Sequence, residues 1–474
     1  MRVVLIHFHL NTGGVTTVVR QQADVLKKMG HDLLLLTGIR PKERWPAPVK
    51  TVPGLAYDEV SSGISIDAGE TSEAILRAID GAWPGKSPDL IHIHNPTLAK
   101  NRHLQAVLKT LQRAGLTLLC QVHDFAEDGR PEVFFEEPYV ADCHYAVVNG
   151  RDREILLRSG LLEQGVHHLP NAVPPLKVCE DDTVSDSGHV LYPVRAIRRK
   201  NIGEAILLKL CAFQAHPLAI TLPPTSAPDL PGYEMWRRYV ADHKLAVSFE
   251  AGLHSDFQRM VAGSRYLIST SINEGFGFSF LEAWTAGKAL WGRMLPDICD
   301  DFTRTGIELG HLYTHLWVPL TWFDADECKK KWQTARALAA RRYGMAIADD
   351  RTDTEWREIT CSDRIDFGLL SERFQRKVID RVLTAGERAS RHLHEINPGL
   401  ARFGSRPEVR ELIEKNRSAV LAHYSLSNYS KRLIDIYQKV LTAPVRQQID
   451  KVALFSAFMA PSRFSLLKWS AFDG

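Results

Sequence analysis

The sequence predicts an α/β protein of two parallel-sheet domains, with a mostly helical insertion late in the second domain. Three observations carry that expectation. Residues 3–8, 15–29 and 33–37 read as strand, amphipathic helix and strand, the βαβ unit from which parallel sheets are assembled. The composition then shifts to proline and acid over 174–187, a linker signature, and the same rhythm restarts at 190. Residues 264–293 finally read as a buried strand, a glycine loop and a helix.

A chain of 474 residues has length enough for two domains that each bury a core. Its net charge of +3 is too small to imply a polyanionic partner, which argues against nucleic acid. Seven cysteines stand at 120, 143, 179, 211, 299, 328 and 361. An odd number without paired spacing argues for reduced thiols in the cytoplasm, and against a disulfide framework or a zinc site. The apolar run at the N-terminus is too short for a signal-peptide core, and no run approaches bilayer length, so the expectation is a soluble cytoplasmic protein. No internal repeat or low-complexity tract is present.

In chain order, the turn His9-Leu10-Asn11-Thr12-Gly13-Gly14 puts two glycines at a helix start, where a phosphate or a sugar can approach backbone N–H groups. It is no dinucleotide fingerprint, because the G-x-G-x-x-G spacing is missing and no acid ends the next strand. A steric role for the pair remains the plain alternative. Strands follow at 90–94 and 116–122, the latter delivering His123-Asp124 at its carboxyl end, the edge that lines the crevice of an open parallel sheet. His92 and His94 alternate with isoleucines and read as packing or capping groups, with no third ligand spaced for a metal. A strand at 145–148, a helix at 151–159 and a strand at 166–169 lead to Pro170-Asn171.

The second half opens with a strand at 190–194, followed by Arg195-Ala196-Ile197-Arg198-Arg199-Lys200-Asn201. Four cations in six positions between a strand and a helix suit a diphosphate, and a solvated basic cluster is the alternative. Strands at 218–222 and 246–250 alternate with helices at 232–243 and 255–262. The strand at 266–268 then runs into Glu274-Gly275-Phe276-Gly277, with Glu282 one turn into the next helix. Glycines and the free N–H groups of a helix start favour an anion, while Ser279 and Glu282 also fit a capping box, with Phe278 stapling to Ala283. Beyond Lys288 come Trp291-Gly292-Arg293 and a long charged tract with helices expected at 334–342, 373–388 and 407–424. The acidic pairs Asp300-Asp301 and Asp349-Asp350 read as solvated. An amphipathic helix is expected at 428–441, and the apolar tail 452–469 reads as packing back on the first domain, with peripheral membrane contact or a homodimer as alternatives.

Glu274-x7-Glu282 around Gly275-Phe276-Gly277 resembles the signature of retaining glycosyltransferase family 4, whose members have the GT-B fold of two facing Rossmann-like domains. The resemblance implies that Glu274 lies beside the donor hexose, that Glu282 binds the nucleotide ribose, and that the backbone at Gly275, Phe276 and Gly277 holds sugar and phosphate. Three further pieces follow in the family order: Gly13-Gly14 near the donor phosphate, His123 against the donor sugar, and Arg195 with Lys200 on the diphosphate. The turn at Gly252 and Leu253 resembles the one on which the nucleobase lies. Val194 stands where the family has glycine before the arginine. The resemblance spans about residues 1–289. It implies an acceptor-side domain over 1–175, a donor-side domain over 188–440 with its insertion at about 293–405, and a segment 441–474 returning to the first. It further implies transfer of a hexose from a nucleotide-diphosphate sugar to a hydroxyl acceptor with retention, with no metal and no further cofactor. The rival readings are a GT-B epimerase or phosphorylase and a non-catalytic nucleotide-sugar-binding protein.

Overall fold

A computed structural model of the chain describes residues 1–11, 13–58, 67–176, 188–345, 352–404 and 409–469. Thr12, the linker residues 177–187 and the pair Asp349-Asp350 lie outside the described residues. The chain divides into two compact units, Met1–Ala172 with Tyr424–Phe458, and Val173–His423 with Met459 onward.

The first unit contains β1 (Arg2–His7), α1 (Gly14–Lys28), β2 (Asp32–Thr37), β3 (Val49–Thr51), α2 (Ala68–Ala82), β4 (Leu90–His94), α3 (Leu104–Arg113), β5 (Leu118–Val122), β6 (His144–Val147), α4 (Gly150–Arg158) and β7 (Val166–His168). Its seven strands are all parallel, in the order β3-β2-β1-β4-β5-β6-β7. Runs such as Leu33 to Leu36 are buried along their whole length, because helices cover both faces of a parallel sheet. The strand order reverses between β1 and β4, and ligands of open α/β sheets bind at such switch points, beyond the carboxyl ends of the strands.

The second unit repeats the plan with β8 (Val190–Arg195), α5 (Ile202–Cys211), β9 (Leu218–Leu222), α6 (Leu230–Asp242), β10 (Val247–Ser248), α7 (Phe257–Ala262), β11 (Tyr266–Ser269), α8 (Ser279–Thr285), β12 (Leu290–Gly292) and α9 (Pro296–Thr303). Its parallel order is β10-β9-β8-β11-β12, with the switch point between β8 and β11. Leu290–Gly292 is thus a short strand paired with β11, where the sequence reading has only Trp291-Gly292-Arg293 opening the charged tract. The late tract holds β13 (Trp317–Pro319), α10 (Ala325–Arg342), α11 (Thr352–Ile359), β14 (Thr360–Cys361), β15 (Arg364–Asp366), α12 (Glu372–Ala385), α13 (Glu387–Ile396) and α14 (Val409–His423). A small antiparallel sheet, β13-β15-β14, accompanies its helices. The single helix expected at 373–388 is two, broken at Gly386, whose φ of +55° stops the first and starts the second.

The late helix changes unit relative to the expectation, while the tail divides: residues up to Phe458 return to the first unit as expected, with Leu454 and Phe458 in its core, and those from Met459 do not. The helix Leu426–Thr442 belongs to the first unit, where Tyr429, Leu433, Ile436, Tyr437 and Val440 form one stripe packed with Val19, Ala23 and Leu26 of α1. The tail beyond 459 belongs to the second unit, where the Trp332 indole donates to the Phe464 carbonyl at 3.2 Å and Leu466 N–H donates to Leu369 at 2.9 Å. Phe455, Phe458, Phe464 and Trp469 are buried, so the aromatics considered for membrane or dimer contact are used inside the chain's own cores. Among the described residues no helix is long and apolar enough to cross a membrane.

Candidate active site

The second-unit site grows from two backbone segments strapped together at the switch point. β8 ends at Arg195 and the chain turns through 198–201, while β11 ends at Ser269 and leads to the glycine loop. Ile272 N–H donates to the Arg199 carbonyl at 2.9 Å, and the Thr270 hydroxyl lies 3.0 Å from the carbonyls of both Lys200 and Asn201. The Tyr192 hydroxyl, fully buried on β8, donates to the Lys200 carbonyl at 2.6 Å. These bonds fix where the side chains of Lys200 and Glu274 emerge, and the two form a largely buried ion pair.

Burial alone would raise the Glu274 carboxyl, but the ammonium of Lys200 and the guanidinium of Arg199 outweigh it and hold the group below the usual glutamate value. Burial pushes Lys200 down against the pull of Glu274 and, more weakly, Glu282. Burial raises Glu282, opposed by Lys200. One ammonium thus faces two carboxylates, with Arg199 beside them. Arg195 is placed differently: its Nη1 donates to the Pro223 carbonyl at 2.9 Å, on the β9 side. Sequence reasoning gave Arg199 no role of its own, although it stood in the basic run. Tyr192 and Thr270 carried no signal, because their task is to hold a carbonyl.

The loop residues divide by what they touch. Gly277 has φ +86°, and a Cβ there would meet the Phe280 ring at 2.9 Å, so only glycine fits. The Phe276 side chain is buried against the rings of Phe278 and Phe302, at 4.9 and 5.7 Å, which leaves its backbone for any ligand role. The capping box does not form: Phe278 is already helical, α8 shows no side-chain cap, and the Ser279 Oγ is buried without a partner among the described residues. Gly252 is held by the close approach of its turn to β9, where a Cβ would lie 3.1 Å from the Thr221 carbonyl, and the neighbouring Leu253 is exposed.

In the first unit the switch point gathers histidines. His7 ends β1, His94 ends β4, and His123 follows β5 with its N–H donated to Asn95 Oδ1 at 2.7 Å. His94 Nδ1 lies 2.9 Å from His123 Nε2, and His92 Nδ1 lies 2.8 Å from the Tyr437 hydroxyl. Burial lowers His92 to about 3 and His123 to about 4, and takes His7 and His94 well below the usual histidine value, so these rings are neutral at physiological pH. Gly13 has extended φ, and a Cβ on Gly14 would meet no heavy atom within 4 Å, so the steric explanation for this glycine fails. Among the described residues no group of three or more His, Cys, Asp or Glu side chains is arranged to hold a metal.

Near this edge Glu127 is fully buried and accepts from the Tyr139 hydroxyl at 2.9 Å. Burial pushes its carboxyl up to about 7, against the Tyr139 bond and the charge of Lys451. A raised folded-state value contributes stability that is complete below the unfolded value and is lost as pH rises through the folded one. Stability should therefore fall by about 3 kcal/mol between roughly pH 4.5 and 7, and Glu127→Gln should remove that dependence. Urea denaturation of both proteins at pH 5 and pH 8 measures it, and equal pH slopes would refute the assignment.

Two doubly wound units, each with polar groups gathered at its own switch point, make up the GT-B fold. The family model described as a glycosyl transferase 4-like domain matches residues 13–199. The mannosylglucosyl-3-phosphoglycerate synthase of Petrotoga mobilis is 25% identical over 366 residues, 69% of this chain and 71% of that protein. A glycosyltransferase structure from Rickettsia africae is similar with a TM-score of 0.56 at 12% identity, over 93% of this chain and 99% of that one. Anabaena HepE, solved with UDP-glucose, is similar with a TM-score of 0.51 at 11% identity, over 92% and 98%. Over residues 13–199 the chain is similar to the glycosyltransferases of the family 4 type.

Proposed function

We propose that the protein transfers a hexose from a nucleotide-diphosphate sugar to a hydroxyl acceptor with retention at the anomeric carbon. The observation that carries the reading is the Lys200–Glu274 pair, with Glu282 and Arg199 beside it, at the switch point of the second sheet. Lys200 and Arg199 supply positive charge where a departing diphosphate gathers negative charge. Glu274, kept ionised, accepts hydrogen bonds from the hexose hydroxyls, and Glu282 accepts from the ribose. Arg195 holds the β9 side of the diphosphate site, and the turn at Gly252 and Leu253 meets the base. Gly14 leaves room for the donor, and His123 meets the sugar. The UDP-glucose bound to Anabaena HepE, a protein of similar fold, supports a nucleotide-sugar donor. The name of the Petrotoga relative supports an acceptor that already carries a sugar and an acidic group. Six described cysteines are free thiols, which supports a cytoplasmic location.

A thermal-shift screen against UDP, GDP, ADP and their hexose conjugates tests the reading. A ligand that binds only the folded protein at 100 times its Kd stabilises it by about 2.7 kcal/mol. One nucleotide should raise the melting temperature, and Glu282→Ala should abolish the rise; no response to any nucleotide would overturn the assignment.

Gly14→Ala separates ligand contact from packing. The methyl group enters open space at a helix start, so stability should hold or rise by up to about 1 kcal/mol, while donor turnover falls. Unchanged turnover would remove Gly14 from the site.

A further inference from the structure

We propose that His94 is a positioning residue that fixes the tautomer of His123, so that His123 meets its ligand as a neutral Nδ1–H donor and never as a proton acceptor. The proposal rests on the reading that His123 serves the transfer reaction.

The two rings lie nearly parallel, 19° apart with centroids 5.3 Å apart, and share one short contact between His94 Nδ1 and His123 Nε2 at 2.9 Å. A single proton bridges that contact, so one ring donates and the other accepts. If His94 accepted, its own proton would sit on Nε2, which is buried and has no hydrogen-bond partner among the described residues. The nearby rings offer no acceptor in its place: His92 stacks on His94 at 4.7 Å and 21°, and His7 meets it edge-on at 6.1 Å. A buried N–H without an acceptor is rarer and costlier than an unfilled lone pair. The favourable arrangement therefore puts the His94 proton on Nδ1, donated to His123, and leaves His94 Nε2 bare. His123 then carries its proton on Nδ1.

A doubly protonated ring would evade this choice, but burial holds both groups below their ordinary value and removes it near neutral pH. The backbone of His123 is pinned independently by Asn95, so His94 acts on the ring and not on the loop. The chemistry that such a ring recognises is an oxygen with a lone pair, such as a sugar hydroxyl or an oxygen gathering negative charge. The relay explains why β4 ends in a buried histidine: a neutral ring can give a proton on one side without needing a partner on the other.

The test is long-range proton–nitrogen NMR on the full-length protein with labelled histidine, which reads the protonated nitrogen of each ring directly. The expected result is a proton on Nδ1 in both His94 and His123. A His123 proton on Nε2 overturns the proposal whatever the activity. His94→Asn keeps an N–H close to the position of Nδ1 and should retain the His123 tautomer and turnover within about threefold. His94→Asp presents only acceptors; it should move the His123 proton to Nε2 and lower kcat by about 100-fold, with the donor KM little changed. A His94→Asp enzyme with the shifted tautomer and full kcat would overturn the functional half. His123→Ala turning over at the wild-type rate would instead remove His123 from the reaction, while the donor-induced thermal shift reports separately on Lys200 and Glu282.

Discussion

Lys200→Met is expected to abolish the rise in melting temperature caused by the donor nucleotide and to lower turnover by roughly 10²–10³-fold. The ammonium is the group that makes a buried, ionised Glu274 tolerable, since burial alone would raise that carboxyl. Without it, burial of the Glu274 carboxyl is opposed mainly by Arg199 and the group shifts toward its protonated form, and the proposed diphosphate site loses a cation. Two effects thus fall on one substitution, and a second variant separates them. In Lys200→Met with Glu274→Gln the buried carboxylate is gone, so stability should recover while turnover stays low, and the double-mutant cycle gives the coupling between the two positions. Nucleotide binding by Lys200→Met at wild-type affinity would sink the assignment of Lys200 to the diphosphate.

Arg293→Met is expected to destabilise the protein by about 3–5 kcal/mol, a fall in melting temperature on the order of 10 °C. Arg293 follows β12 directly and is 3% exposed. Its guanidinium donates at 2.6–2.9 Å to both oxygens of Glu204 and at 2.7 Å to both oxygens of Asp366, while Tyr313 donates to Glu204 at 2.7 Å. Asp366 ends β15 of the late tract and Glu204 lies in the first turn of α5, so one side chain joins the late tract to the helix that follows Lys200. Removing it leaves two carboxylates buried side by side, each costing several kcal/mol to desolvate. The effect reaches the site through Asn201, which sits at φ +53°, donates to Glu204 at 2.7 Å and accepts from Gln375 at 2.8 Å. Guanidinium chloride unfolding with the donor nucleotide present and absent checks both parts. Arg293→Met with Asp366→Asn should recover part of the loss, and a change under about 1 kcal/mol in the single variant would show that the carboxylates find other partners.

Most of the βα rhythm was legible because its signals are local. The continuous apolar run 33–36 and the alternation at 90–94 announced buried parallel strands, and the glycine loop before Glu282 announced a turn, which takes positive φ at Gly277. The helices α2 and α3 and the short edge strand β3 were missed: the segments 38–89 and 95–115 were given no elements, and the three residues of β3 make too short a run to show alternation. The capping box failed because helical backbone starts at Phe278, one residue ahead of the serine that should have capped it. Arg293 was given no role, since nothing local marks a cation whose two partners lie 89 and 73 residues away.

By itself the sequence determined two parallel-sheet halves, the glycine-loop unit and the acids, cations and histidine that end strands, because hydrophobic period and turn chemistry act over a few residues. Tertiary structure alone decided which of these groups meet. Strand order makes β8 and β11 neighbours and so brings Lys200 to Glu274, just as it makes β4 and β5 neighbours and brings His94 to His123. It also decided that the helix 426–442 covers the first sheet and that the apolar tail divides, Phe458 packing in the first unit and Phe464 in the second. An amphipathic stripe records that a face will be buried, and only the assembled fold records against what.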